Sequence, residues 1–254
     1  RVHGFPIVLG HEFSGSIEAV GPGVDDSMLG KRVSGIPLVP CGSCPECEKG
    51  NYSLCNHYSF VGSRRNGSMA DQVVLPVGNV VQISDDVTDL EAAFFEPATV
   101  GVHAIELVDF KKGSSALVVG AGTIGLLLAQ ALVWYGASCV VVANRSAKRL
   151  QVAKELGFDT VCSCDTDWEN KALDINSGVG FDYVFDTVAH SKTIADSARL
   201  ARPRATVCFV GTPKQDTVLK ASEWELLNRK ELIWTGSWMS YSKPWPGIEW
   251  LNVE

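Results

Sequence analysis

The sequence predicts an α/β protein in two parts, a turn-rich β unit followed by a doubly wound parallel sheet. Three observations carry this reading. Residues up to about Pro97 are rich in Gly, Pro, Val and Ile, with short alternating stretches at Ser16–Val20, Lys31–Ile36 and Asp71–Val77. Such stretches, bounded by turn residues, read as the strands of a compact β unit. After Pro97 short apolar strands alternate with helices, the pattern of a parallel sheet covered on both faces. Between the first of those strands and its helix lies a glycine-rich turn. The expected division is therefore residues 1–97 and residues 98–254.

The second part can be laid out in order. Ser115–Val119 is an apolar strand, and Thr123–Tyr135 a helix apolar around nearly its whole circumference. Cys139–Ala143 is the next strand. Ser146 is placed to N-cap the amphipathic helix Ala147–Leu156, which Gly157 ends. Further strands are expected at Thr160–Cys162, Tyr183–Asp186, Thr206–Val210 and Leu232–Thr235. The apolar run from Leu126 to Ala143 is broken by Gln130, Tyr135, Gly136 and Ser138. A membrane span needs about 20 apolar residues without such breaks, so the run reads as core and no membrane partner is expected.

Composition sets further bounds. The chain has 254 residues, of which 46% are hydrophobic and 20% charged, with a net charge of −7. Nucleic acid is excluded as a partner, because phosphate neutralisation needs a clustered basic face. Cys139, Cys162, Cys164 and Cys208 lie in apolar surroundings and read as reduced core residues, which suits a cytoplasmic location.

Cys41, Cys44, Cys47 and Cys55 are different, because all four fall within one short loop. Their spacing lets a single loop present four thiolates to one tetrahedral zinc ion, and a site closed on all four sides is structural. The alternative is two disulfides in a secreted domain, and the cytosolic character of the remaining sequence argues against it.

Gly120, Gly122 and Gly125 stand in G-A-G-T-I-G, with Thr123 and Ile124 opening the helix. A lone G-x-G-x-x-G is weak evidence; one that follows a strand and opens a helix is the context that a dinucleotide pyrophosphate requires. The first glycine allows the tight turn, the second admits the phosphates and the third packs helix on strand. The helix start then offers free N–H groups to the anion. About 20 residues on, an acidic side chain would bind the ribose hydroxyls of NAD and repel the 2′-phosphate of NADP. Here Asn144, Arg145 and Ser146 occupy that stretch, followed by Lys148 and Arg149. Two readings stay open: the cations favour NADP, or Asn144 holds the ribose of NAD.

The set G-H-E at Gly10–Glu12, Glu96 before the α/β part, the four-cysteine lobe and the glycine loop, in this order, resembles the zinc-dependent medium-chain alcohol and polyol dehydrogenases. The stretches at Gly62–Arg65, Glu96–Ala104 and Gly236–Gly247 resemble members of that family that act on a polyol phosphate. The resemblance implies a GroES-like catalytic domain ahead of a Rossmann domain, two zinc ions per complete subunit, and NAD or NADP. It implies that His11, Glu12 and Glu96 serve the catalytic zinc, the four lobe cysteines hold the structural one, and Arg149 touches the adenosine ribose. It also implies a homodimer or homotetramer. It places a cysteine ligand ahead of Arg1.

The expected chemistry is hydride transfer between the secondary hydroxyl of a polyol or polyol phosphate and the nicotinamide, with zinc as Lewis acid. Arg64 and Arg65, on a glycine-flanked turn, are the candidates for a substrate phosphate. Trp238, Tyr241 and Trp245 are candidate pocket walls. The rival reading is a zinc- and nucleotide-binding scaffold of the same superfamily that performs no turnover.

Overall fold

The computed structural model describes residues 5–240, which form two compact units. The first holds the described residues up to Thr99, joined by Met239 and Ser240, and the second is Val100–Trp238. The division falls two residues beyond the expected boundary, and the chain re-enters the first unit at Met239.

The first unit has small sheets. β1 (Ser14–Ser16), β2 (Arg32–Gly35), β3 (Leu38–Val39), the short helix α1 (Pro45–Glu48), β4 (Ser59–Phe60), β5 (Val80–Gln82) and α2 (Asp89–Ala93) follow in chain order. β1, β2 and β5 form one antiparallel sheet, and β3 pairs with β4. Beneath them Ile36, Ile83, Val87, Ala92 and Phe95 form a buried apolar cluster. α2 starts at a capping box, in which the Thr88 hydroxyl accepts from the Glu91 N–H and the Glu91 carboxylate accepts from the Thr88 N–H. Arg32 clamps the same corner, donating to the Asp89 carboxylate and the Val87 carbonyl, each at 2.7 Å. Two expected strands differ. β1 ends at Ser16, where Ser16–Val20 was expected to begin, and Asp71–Val77 forms no strand: it starts at a bend, and Val77 opens the 3-10 turn Val77–Asn79. Alternation marks a strand only where a neighbour supplies the ladder.

The helix α3 (Phe95–Leu107) carries the chain across the boundary. In the second unit β6 (Ser115–Val119), α4 (Thr123–Trp134), β7 (Cys139–Asn144), α5 (Ala147–Glu155), β8 (Asp159–Cys162) and α6 (Trp168–Ile175) alternate. They are followed by β9 (Phe181–Asp186), α7 (Ser191–Leu200), β10 (Ala201–Phe209), α8 (Ala221–Arg229) and β11 (Ile233–Gly236). The six strands are parallel, in the order β11-β10-β9-β6-β7-β8. Every residue of β6 is buried, as expected for a central strand covered on both faces. Ser146 caps α5, its hydroxyl accepting from the Arg149 N–H, and Gly157 ends that helix at φ +87°. Among the described residues no helix is long and apolar enough to cross a membrane.

The far edge of this sheet is held by one lysine. Lys230 Nζ donates to the carbonyls of Ala198, Arg199 and Ala201, at 3.1, 2.7 and 2.7 Å, at the end of α7. Burial holds its ammonium below the ordinary lysine pKa, so three acceptors serve a charge partly stripped of water. Replacing it by methionine (Lys230→Met) leaves those carbonyls without a donor, at a cost of about 1–3 kcal/mol. Urea unfolding monitored by circular dichroism should show a lowered midpoint with an unchanged slope.

Candidate metal centres and dinucleotide site

His11 is positioned by glycines. Gly10 adopts φ +92° just before it, and the loop Gly62–Gly67 lies against the Gly10 backbone. A Cβ placed on Gly62 would stand 2.3 Å from the Gly10 carbonyl oxygen, and one on Gly67 only 2.1 Å from it. Ser68 N–H donates to that same oxygen at 2.9 Å, and Gly67 N–H to Val8 at 2.8 Å. Two stretches of main chain therefore touch, which fixes where the next side chain points. The His11 ring meets Phe60 edge-on, with centroids 5.1 Å apart.

Glu96 reaches the same place from the first turn of α3. One donor atom each from His11, Glu12 and Glu96 lies within 4.8 Å of the others. Glu96 is only 5% exposed. Burial pushes its carboxyl up to about 7, a rise that the Ser240 hydroxyl opposes and the nearby Glu12 reinforces. Burial also lowers the His11 pKa, against the pull of Glu12, which keeps the imidazole neutral and its nitrogen lone pair available. Two carboxylates and a neutral imidazole form a donor set suited to a divalent cation such as zinc.

The four lobe cysteines also converge, on and around α1. Cys41 Sγ lies 3.9 Å from Cys47 Sγ, and Cys44 Sγ 3.8 Å from Cys55 Sγ. A disulfide would bring the sulfurs to about 2.0 Å. Tetrahedral ligands at about 2.3 Å from a zinc ion stand about 3.8 Å apart, so the donor set fits the ion and not the disulfide reading. Cys44, Cys47 and Cys55 are buried and packed with Tyr52 and Tyr58. The Ser43 N–H holds the Cys41 thiol down at about 6, whereas burial pushes Cys47 up to about 12.

In the second unit the chain leaves β6 for β7 and β8 on one side, then returns to β9 on the other. That reversal opens a crevice at the strand carboxyl ends, the place where doubly wound sheets bind ligands. Gly120 lies there at φ +108°. A Cβ on it would come within 2.3 Å of Thr187 Oγ1, and one on Gly125 within 1.9 Å of the Gly120 carbonyl. A Cβ on Gly122 would meet nothing within 4 Å. Gly122 is also the N-cap of α4 and supplies no side-chain cap to it, so Thr123, Ile124 and Gly125 present the first helical N–H groups.

Asn144 ends β7, and the exposed Arg145 and Arg149 follow; neither guanidinium has an ion-pair partner among the described residues. Thr187, which no motif announced, borders the glycine turn. It follows β9, and its N–H and hydroxyl both donate to the Val119 carbonyl, at 3.0 and 2.9 Å. The signal available in the sequence was its place directly after the expected strand Tyr183–Asp186.

Other expectations are met less simply. Arg64 is already engaged: its guanidinium stacks 3.6 Å over the Tyr58 ring and donates to the Tyr58 carbonyl at 2.8 Å. Arg65 is exposed and lines a cavity of about 510 Å³ with Asn66, Gln72 and Val74. Trp238 is half exposed, whereas Tyr241 and Trp245 lie outside the described residues. Of the four cysteines expected in the core, Cys208 is buried, Cys139 and Cys162 are partly exposed and Cys164 is exposed. Cys162 ends β8 and Cys164 lies in the surface turn that follows, where apolar neighbours in sequence are not neighbours in space.

Comparison with known proteins bears on what such sites serve. Residues 1–85 match the alcohol dehydrogenase GroES-like domain, and residues 123–252 match the zinc-binding dehydrogenase domain. The chain belongs to the zinc-binding alcohol dehydrogenase family. It is 41% identical to galactitol 1-phosphate 5-dehydrogenase of Escherichia coli strain K12 over 98% of its length and 72% of that protein. The crystal structure of galactitol-1-phosphate dehydrogenase from Escherichia coli superposes with a TM-score of 0.90, at 40% identity over 99% of this chain and 73% of that one. A putative zinc-binding dehydrogenase from Sinorhizobium meliloti, bound to NADP, superposes at 0.88 with 29% identity, over 99% and 73% of the two chains. A structure described as a short chain alcohol dehydrogenase from Escherichia coli CFT073 complexed with NADH gives 0.89 at 29% identity, over 98% and 73%.

The glycine geometry separates folding from binding. Gly125→Ala forces its Cβ into the Gly120 carbonyl and should destabilise the second unit by about 1–3 kcal/mol. Gly122→Ala should melt like the parent protein. Its added methyl would instead obstruct whatever approaches the turn, so dinucleotide affinity, read by fluorescence titration, should fall for this variant.

Proposed function

We propose that the protein is a zinc-dependent polyol dehydrogenase, related in activity to galactitol 1-phosphate 5-dehydrogenase, that oxidises a secondary hydroxyl of a polyol or polyol phosphate with NAD or NADP. The convergence of His11, Glu12 and Glu96 carries the reading, and the 41% identity to that enzyme supports it. His11, Glu12 and Glu96 would hold the catalytic zinc, and Cys41, Cys44, Cys47 and Cys55 the structural one. When bound, the catalytic ion would supply a Lewis acid for a coordinated hydroxyl, and the nicotinamide would supply a hydride acceptor.

The chain's own groups set the conditions. The neutral imidazole of His11 donates a lone pair without competing for a proton. Glu12 and Glu96 lower the net charge at the centre, which leaves a polar pocket suited to a substrate with several hydroxyls. Gly120, Gly122 and Gly125 would let a pyrophosphate approach the backbone, and the first N–H groups of α4 would bind it. Arg145 and Arg149, exposed after β7, would supply charge for a 2′-phosphate on the adenosine ribose. With Arg64 committed to Tyr58, the candidate for a substrate phosphate narrows to Arg65. A cytoplasmic homodimer or homotetramer completes the proposal.

The test is turnover of galactitol 1-phosphate and of the free polyol with each cofactor, together with zinc content. About two zinc ions per chain and activity that a strong chelator abolishes are expected. One zinc and no turnover would instead favour the scaffold reading. Glu96→Gln keeps the shape but removes a charge, and should lower kcat/KM by about 100-fold or more while leaving the lobe zinc in place. For Arg65→Gln, a rise in KM for the phosphorylated substrate alone is expected; equal effects on both substrates would remove Arg65 from the site.

A further inference from the structure

Two thiols flank the loop that carries Asn144 and Arg145. Cys162 closes β8 opposite Asn144, and the Ser163 N–H donates to the Asn144 carbonyl at 3.0 Å. The chain then turns, with the Asp165 N–H bonded to the Cys162 carbonyl at 2.9 Å, so the cysteines take the first and third positions of a β-turn. Both sulfurs lie against one acceptor. The Arg145 carbonyl oxygen is 3.9 Å from Cys162 Sγ and 3.8 Å from Cys164 Sγ. Cys162 is partly exposed and Cys164 exposed, so the pair is open to solvent.

We propose that Cys162 and Cys164 form a thiol–disulfide site that reacts with a small disulfide of the glutathione type and controls the Arg145 loop. Residues two apart on a straight strand stand about 6.6 Å apart. A turn brings them closer, inside the range of about 4.4–6.8 Å that a disulfide spans. The thiolate of the exposed Cys164 attacks the small disulfide, forms a mixed disulfide and expels one thiolate. Cys162, losing its proton, then attacks the Cys164 sulfur and expels the second. Two protein thiols are oxidised, one external disulfide is reduced to two thiols, and the two protons end on those products. Closing the bond turns both sulfurs toward each other and away from the Arg145 carbonyl. The start of α5, with Arg145 and Arg149, loses that tether.

The lobe cysteines do not offer the same chemistry, because three of them are buried. The consequence for cofactor binding rests on the proposed dinucleotide site, but formation of the bond does not.

The test treats the zinc-loaded protein with oxidised glutathione and follows it by three readouts. Peptide mass analysis should show a loss of two hydrogens in the peptide holding both cysteines, reversed by dithiothreitol. Hydrogen exchange should quicken at residues 144–150. The dissociation constant for NADPH should rise several-fold, and none of the three changes should occur in Cys162→Ser/Cys164→Ser. A lasting mixed disulfide at Cys164, or no modification at all, would overturn the site. A bond that forms without faster exchange would overturn its control of the loop. Failure of the reduced protein to bind NADPH, with the bond formed and exchange quickened, would count against the dinucleotide site and leave the thiol pair standing.

Discussion

The His11 centre and the dinucleotide turn both sit where main chain touches main chain with no side chain between. In the first unit Gly62 and Gly67 press on the Gly10 carbonyl, and in the second Gly125 presses on the carbonyl of Gly120. Such contacts demand glycine twice over, for room and, at Gly10, Gly62 and Gly120, for a left-handed φ. They are also stiff, because a backbone has no rotamers through which to relax. His11 emerges from one contact and the first turn of α4 from the other. The reactive groups therefore inherit the precision of the backbone rather than the looseness of side-chain packing.

That precision is bought at a cost in entropy, since each glycine loses more freedom on folding than another residue would, about 0.5–1 kcal/mol relative to alanine. The surroundings offset it. Around Gly10 the hydrogen bonds from Gly67, Ser68 and Met69 tie the two stretches together. Around Gly120 the offset comes from Thr187, which bonds twice to Val119, and from a central strand buried along its whole length. The electrostatics follow the same division. Glu96 is buried where a cation would be a natural companion, whereas Arg145 and Arg149 stay in water, where a phosphate could reach them.

Much of this was legible in the sequence, for physical reasons that differ from site to site. The second unit announced itself because a buried parallel strand must be apolar throughout, and a βα turn that admits phosphate must be rich in glycine. The four-cysteine lobe was legible because its ligands are close in sequence, so spacing alone constrains geometry. His11 and Glu96 lie far apart along the chain, and only the resemblance to a family joined them before the fold did. Thr187 left no pattern, because its role comes from the neighbouring strand. The Asp71–Val77 stretch misled, since alternation records exposure on two faces and not the presence of a ladder. Cys162 and Cys164 misled for a related reason, as a turn can carry residues of a core-like run out to solvent.

The two clusters of donor atoms differ in how much chain they enclose. Only 14 positions separate Cys41 from Cys55, so that loop closes at small entropic loss and can grip an ion while the rest of the polypeptide is still unordered. His11 and Glu96 bracket almost the entire first unit, and their meeting waits on α3 and the glycine crossing. Chain entropy alone thus favours closing the sulfur cluster before the mixed nitrogen–oxygen cluster.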